Sequence, residues 1–584
     1  MSERDDDVRV RLGRIRNRRV GKPKPFVHQV LRAAKKAGSG EVGRRRLTGG
    51  GRSGFGRGRA AFSRSRLFSP QRHVIVKAHI VRGSSRAARS APLSAHLSYL
   101  KRDGVTRDGA RGRMFDAGGD DADDKAFTER CGEDRHHFRF IISPEDAGEM
   151  SDLRAFTRDL ASRMEADLGT RLDWVAIDHW NTDNPHVHLL VRGVADDGRD
   201  LVLARDYISR GMRSRAEDLV SLELGPKPEQ AIRSALEREV DAERWTRLDT
   251  SIRLEAEESG IIDLRPAEAG AGDPQIRRLM VGRLQRLERM GLASSAGPAQ
   301  WLLRPDAEPV LRDLGLRGDI IKTMQAALAR HGSERPPGDY VIGTGEVVSP
   351  IVGRLVEKGL HDELSGEAYA VIDGVDGRVH HVRFRGIDAI EHAAPEGGIV
   401  ELRRFGGPEE RTPTLALVSR SDSDLANQVT APGATWLDHR LVSKDEASFG
   451  HGGFGAEARM ALNARVDHLI DEGLARRQGH RAIFARNLLD TLRRRELDAV
   501  GSRLAAEIDR PRYPTESGNQ VAGVYQRRLS LNSGRFAMID DGLGFSLVPW
   551  STSLEAHLGR HVAGIARPDG GVDWAFGRRR TLGI

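Results

Sequence analysis

One stretch of the C-terminal half occurs twice, and this duplication limits what the chain can fold into more than any other feature. RLQRLERMGLA (283–293) is matched by RVDHLIDEGLA (465–475), at an offset of 182 residues. In each copy a short polar turn follows, then an apolar strand-like piece (QWLLRPD; RAIFARN), then another helix (PVLRDLG; LLDTLRR). A helix, a Gly-Leu-Ala turn and a short hairpin in that order read as a winged helix. A second pair recurs downstream: GEAYAVIDGVDGRVHHVRF (366–384) and GRFAMIDDGLGFSLVPW (534–550), preceded by IVGRLVEKG (351–359) and VAGVYQRRLSL (521–531). Apolar runs broken by Gly and Asp turns read as hairpins of small β-barrels. Recurrence of two different elements in one order means that one unit is reused. The tail therefore reads as winged-helix-like (240–335), small β-barrel (336–410), second winged-helix-like (430–510) and second small β-barrel (511–584).

At roughly 100–200 residues per domain, 584 residues hold about three to five domains. Hydrophobic residues at 38% and charged residues at 30% exclude wholesale disorder. A single Cys excludes a disulfide framework and a Cys-based zinc site, and fits a reducing compartment. No apolar run approaches the roughly 18–20 residues of a membrane span, and the N-terminus has no apolar signal core. The expectation is a cytoplasmic protein without membrane insertion. The charge is uneven. Residues 1–70 carry 20 Lys/Arg against 5 Asp/Glu, so the overall +9 divides into +15 there and −6 in the remaining 514 residues. With its Gly and Ser content, 1–71 reads as a disordered basic arm that attracts phosphate backbones without reading sequence.

Residues 72–235 read as the first ordered domain. RHVIVKAHIVRG (72–83) is a strand, and SAPLSAHLSYLKRDG (90–104) an amphipathic helix with Leu93, Leu97 and Leu100 on one face. A Gly/Asp-rich loop to about 134 leads into the strand HHFRFIISP, then a helix over 147–168. LDWVAIDHW (172–180) and HVHLLVRGV (186–194) are strands joined by the turn NTDNP, and a helix over 204–225 closes the unit. The order β-α-β-α-β-β-α predicts an α+β domain with a central, largely antiparallel sheet flanked by helices.

The chemistry concentrates in DHWNTDNPHVHLLVRG (178–193). His186 and His188 alternate on a strand, so both rings leave one face. His179 ends the preceding strand across a short hairpin, so three imidazoles can meet. Three neutral nitrogens with open positions suit a divalent ion that binds a phosphate oxygen. Asp183, in the turn, is spaced to accept an outer ring N–H and fix a tautomer. A strand-cleaving site also needs a nucleophile. Two of the six Tyr lie in this domain: Tyr99, beside Lys101 and Arg102, and Tyr207, whose helix carries Arg210, Arg213 and Arg215 as a phosphate-tracking surface. Asp178, His137 and Glu145 are the candidate general bases.

His179-x-x-x-Asp183-x-Pro185-His186-x-His188, downstream of a Tyr in the Tyr99–Gly104 context Y-L-x-R-x-G, resembles the relaxases. These are the plasmid mobilisation nucleases of the histidine–hydrophobic–histidine endonuclease superfamily. The MobP class, which includes the agrobacterial T-DNA border endonuclease, is the nearest in pattern. Tyrosine before histidines is the relaxase order; rolling-circle replication initiators have the reverse. The tail is similar to an uncharacterised C-terminal region found on some MobP-type relaxases. Two departures stand out: Asn181 sits where many relatives have Asp, and the relatives' Ser motif has only Ser143 as a counterpart.

The resemblance implies a site- and strand-specific nicking and joining enzyme at a plasmid transfer origin. Tyr99 would attack the scissile phosphate and remain on the 5′ end, while His179, His186 and His188 hold Mg²⁺ or Mn²⁺. Implied partners are single-stranded and duplex DNA at that origin, a type IV coupling protein and accessory origin-binding proteins, with export through a type IV secretion channel. Two alternatives stay open: a replication initiator using Tyr207, and a non-catalytic DNA-binding regulator built on the winged helices.

Overall fold

The computed structural model describes residues 67–82, 86–182, 184–265, 273–343, 350–405, 414–443, 449–479, 481–568 and 570–576. All lie in one compact unit, Arg59–Ile584. The arm expected over 1–71 lies outside the described residues up to position 66. Beyond it the ordered part starts earlier than expected, because Leu67 is buried in an apolar cluster with Leu236 and Leu284.

The first sheet comprises Val74–Arg82 (β1), His136–Pro144 (β2), Trp174–His179 (β3) and His186–Arg192 (β4). Its order is β1-β2-β4-β3, with every pair antiparallel. The helices around it are Arg86–Leu100 (α1), Asp124–Cys131 (α2), Leu153–Leu168 (α3) and Met212–Leu224 (α4). Strand periodicity sorts the side chains. Phe138, Phe140, Val187 and Leu189 face α3 and α4, whereas Val175, Ile177 and Leu190 face α1 and α2 through Leu93, Leu97, Leu100 and Phe127. Helix α2 occupies a stretch expected to be loop. Asp123 caps it by accepting from the N–H groups of Lys125 and Ala126, and Phe127 and Cys131, one turn apart, bury its inner face.

The tail repeats one arrangement. In the first copy, Glu229–Val240 (α5), Arg247–Ser259 (α6) and Pro274–Arg289 (α7) share a core with a small sheet of Ile262–Asp263 (β5), Ala293–Gly297 (β6) and Gln300–Leu303 (β7). Ala307–Arg330 (α8) leads to Tyr340–Ile342 (β8), Ile351–Asp362 (β9), Glu367–Gly374 (β10), Val379–Phe384 (β11), Ile399–Phe405 (β12) and Thr414–Ser421 (β13). In the second copy, Trp436–Val442 (α9) and Gly453–Asp471 (α10) precede the hairpin Ala475–Gln478 (β14) and Arg481–Phe484 (β15). Leu488–Ile508 (α11) then leads to Arg512–Tyr513 (β16), Gln520–Leu531 (β17), Gly534–Asp540 (β18), Phe545–Pro549 (β19), His561–Ala566 (β20) and Val572–Trp574 (β21). The large sheets have one topology: β8 parallel to β11, then β10, β9, β12, β13; and β16 parallel to β19, then β18, β17, β20, β21.

A buried ion pair marks both copies. Arg283 and Arg465, the first residues of the two matching segments, are fully buried. Arg283 is bidentate to Asp249, and Arg465 to Asp438, with every N–O distance 2.8 Å. Each Asp also closes a capping box, three residues after the Thr that begins it, Thr246 and Thr435 respectively. Gly291 and Gly473 end the two matched helices at φ 71° and 70°, a region that disfavours any side chain.

The small barrels expected over 336–410 and 511–584 are open six-stranded sheets, with β13 and β8, or β16 and β21, at the edges. Both faces of each sheet are already covered. Ala368, Ala370 and Ile372 pack into one cluster, while Val371 packs with Met324 of α8 on the other side. In the second copy Ala537 and Ile539 face one cluster, and Met538 faces Leu504 of α11. A sheet buried on both faces need not roll up to hide an interior. No described helix is long and apolar enough to cross a membrane.

Candidate metal centre

Strands β3 and β4 pair so that His179 lies directly opposite His186, with His188 two residues further along the same face. The three ring centroids are 4.6–5.4 Å apart. All three residues are buried, His179 completely. Main-chain carbonyls set the ring tautomers. His179 Nε2 donates to the Leu100 carbonyl at 2.9 Å, which leaves Nδ1 as a buried nitrogen with no hydrogen-bond partner. His186 Nδ1 donates to the Asn184 carbonyl at 3.0 Å, which leaves Nε2 as a lone pair. That atom lies 3.2 Å from His188 Nε2.

A fourth group arrives from the tail. Glu363, at the tip of the β9–β10 hairpin, brings Oε2 to 2.8 Å from His188 Nε2 and 3.3 Å from His186 Nε2. One ligand atom from each of the four residues falls within 4.8 Å of all the others. Lone pairs of His179 and His186 and a carboxylate facing one another repel unless a cation lies between them. The donor set, three nitrogens and one oxygen, is compatible with a divalent metal ion.

Burial keeps the His179 and His188 rings neutral, the form that binds metal. It pulls His179 down to about 2 and lowers His188 as well. Burial alone would raise the Glu363 carboxyl, but its 2.8 Å contact with His188 holds it well below the usual range, so it is charged.

The other expected site residues are distributed as follows. Tyr99 lies on α1, on the face of the first sheet that carries the histidines. Its Oη accepts from the Leu360 N–H at 2.9 Å, and burial raises its pKa. Arg102 stacks on the Tyr99 ring at 4.4 Å and reaches Glu363 Oε1 at 3.4 Å, with Nη1 buried and without a partner. Lys101 is held by Asp124 at 2.6 Å. Tyr207 packs into the cluster on the opposite face and donates to Asp167 at 3.1 Å. Arg215 pairs with the same Asp167, and Arg210 and Arg213 are exposed near it, so this helix is remote from the imidazole face. Asp178 also points away from the histidines: it accepts from Arg154 at 2.9 Å and Trp180 Nε1 at 2.7 Å. One-residue alternation on β3 puts Asp178 and His179 on opposite faces, which corrects the expectation for Asp178 as a base. Glu145 pairs with Lys227. Asp183 lies outside the described residues; the Asn184 carbonyl orients His186.

His137 is on the imidazole face. Burial, then the Arg139 charge, pulls it down to about 3, and its Nε2 accepts from Arg139 Nε at 3.2 Å. Three residues of this face escaped the sequence reading. Arg139 is buried with no carboxylate partner among the described residues, and burial brings its guanidinium down to about 10. His96, one helical turn before Tyr99, is buried, and burial lowers its pKa well below the usual value. Glu363 is 177 residues beyond His186 in the chain. The HHFRF alternation and the His96–Tyr99 spacing were available signals for the first two; Glu363 had none nearby.

Residues 280–413 and 407–583 match the model of a family described as "Protein of unknown function (DUF3363)". The two matches together span more than half of the chain, which therefore belongs to this family. They cover Glu363 but none of the three histidines. No curated protein and no solved structure matches the chain.

Proposed function

We propose that the chain is a metal-dependent DNA strand-nicking and joining enzyme of relaxase type, acting at a plasmid transfer origin to begin mobilisation. The observation that carries this reading is one hydrogen bond. The carbonyl that sets the tautomer of His179 belongs to Leu100, the residue after Tyr99. The helix carrying the phenol is thus bonded to the histidine hairpin, which supports reading Tyr99 together with the three rings.

In this reading His179, His186 and His188 hold Mg²⁺ or Mn²⁺. When bound, the ion supplies positive charge against a non-bridging phosphate oxygen. Tyr99 supplies the attacking oxygen, and Arg102, stacked on its ring, favours the phenolate. Arg139 faces the backbone of the bound strand. Attack forms an O–P bond to Tyr99 and breaks the bond to the 3′ oxygen, which leaves as a hydroxyl after taking a proton. The reverse reaction rejoins the ends. The two helix–hairpin units of the tail, read as winged helices, supply duplex contacts beside the nick. The covalently loaded protein is then the cargo of a type IV secretion channel.

The test is a denaturing gel of protein incubated with an end-labelled single strand spanning the transfer origin, with Mn²⁺ or EDTA. The expected result is a metal-dependent, protein-linked band, lost in Tyr99→Phe and His186→Ala and kept in Tyr207→Phe. A band that survives Tyr99→Phe, or no band with any metal, refutes the proposal.

A further inference from the structure

The tip of the β9–β10 hairpin touches more of the centre than the ring nitrogens. Leu360 N–H donates to Tyr99 Oη at 2.9 Å. Glu363 Oε2 faces His188 and His186, and Oε1 faces Arg102. The Leu364 carbonyl accepts a long bond, 3.5 Å, from Arg139 Nη1. Five consecutive residues therefore cover a phenol, two imidazoles and two guanidinium groups.

Neither the hairpin fold nor the histidines require a carboxylate there. The second copy has the same hairpin between β17 and β18, with the tip sequence Leu531, Asn532, Ser533, Gly534. That tip has no acid, and its Asn532 and Ser533 N–H groups donate to Glu496 of α11 in its own copy. The rings of His179 and His186 are oriented by the Leu100 and Asn184 carbonyls, independently of Glu363. What the centre lacks without Glu363 is an anion. Among the described residues, Arg139 is buried without a carboxylate, and Arg102 Nη1 is buried with no partner. Buried guanidinium groups without a counter-charge are costly, and a carboxylate or a phosphodiester can relieve them. Both are monoanions with two free oxygens.

We propose that Glu363 is a built-in stand-in for the phosphodiester. The hairpin tip occupies the path of the nucleic-acid strand, holds Tyr99 and the arginines in place, and withdraws when a single strand enters. This rests on the metal-dependent DNA reading above. A strand binding the open form sees its affinity reduced by the open fraction, so removing the carboxylate raises affinity without any new contact.

The test uses the full chain, a short fluorescein-labelled single-stranded DNA of mixed sequence, and Mn²⁺ followed by calorimetry. Wild type, Glu363→Ala, Glu363→Gln and His186→Ala are compared, with amide exchange over 359–366 measured with and without DNA. Expected are Mn²⁺ affinity for Glu363→Ala and Glu363→Gln within about threefold of wild type, and DNA affinity raised about tenfold, equivalent to opening a tenth-populated state. Exchange over 359–366 should speed up in wild type on adding DNA. If Glu363→Ala loses Mn²⁺ affinity by an order of magnitude, Glu363 is a permanent ligand and the stand-in is wrong. Unchanged or weaker DNA binding, or unchanged exchange, also overturns it. If His186→Ala binds Mn²⁺ like wild type, the metal reading itself fails.

Discussion

Arg465→Met is the sharpest test of what holds the repeated unit together. The Arg465 guanidinium donates two bonds to Asp438, and three more to the carbonyls of Val429, Ala431 and Gly433 at 2.8–3.1 Å. Both side chains are completely excluded from solvent. Methionine keeps the stem's packing but strands the Asp438 carboxylate, left with only the Thr435 N–H and hydroxyl as donors. Breaking a buried pair from one side costs about 3–5 kcal/mol, and three carbonyls losing a donor put this case near the top of that range. Arg465→Met/Asp438→Leu removes the stranded charge but also the capping box, itself worth about 1 kcal/mol. The double variant should therefore be milder than the single one by about 1–3 kcal/mol. The assay is native-state amide exchange of α10, which reads a local opening free energy without assuming that the whole chain unfolds in one step. Arg283→Met should do the same to α7 and leave α10 unchanged. A loss below about 1 kcal/mol in α10, or a double variant as damaged as the single one, refutes the reasoning.

The metal-free protein should lose stability as pH falls below neutrality. His137 and His179, pulled to about 3 and about 2 by burial, stay neutral when folded and take up protons when unfolded, so acid favours unfolding. Against a usual value of 6.5, each costs about 1.4 kcal/mol between pH 7.5 and 5.5. Equal or greater urea stability in EDTA at pH 5.5 contradicts this. The two hairpins should also differ in nucleic-acid binding: Arg476, Arg481 and Arg486 on or beside β14–β15 are exposed and form no ion pair among the described residues, whereas β6–β7 reads ASSAG and QWLL. Each Arg→Ala change there should lower the slope of log affinity against log salt for duplex DNA by about 0.9, and an unchanged slope in the triple variant removes this hairpin from the interface.

What was legible in the sequence was local. The period-two alternation of HVHLL put His186 and His188 on one face, and the short NTDNP turn brought His179 opposite. The matched segments were visible because Arg283 and Arg465 begin them inside α7 and α10, and Gly291 and Gly473 close those helices, each for a physical reason: a buried charge on one side, a left-handed backbone on the other. Helix α2 was hidden because Gly and Asp, which signal turns, also supply its cap; only Phe127 and Cys131 spoke for a helix. The open sheets were misread as barrels because a hairpin's alternation does not say whether a helix will cover its second face. Asp178 was placed at the centre by proximity to His179, although neighbours in a strand point apart.

Glu363 was illegible for a different reason. Its neighbours, His361, Asp362 and Leu364, give it the look of an exposed turn acid, and in the second copy the same turn needs no acid at all. The duplication separates the two demands on this hairpin. Strand pairing, the face-by-face burial of Ala368, Ala370 and Ile372, and the turn at Gly366 belong to the scaffold and recur in both copies. The carboxylate belongs to the centre alone, and its position makes sense only once three imidazoles and the Arg102 guanidinium lie beside it. A charge that the scaffold does not need, seated where its removal would leave cations unbalanced, is explained by what those cations bind.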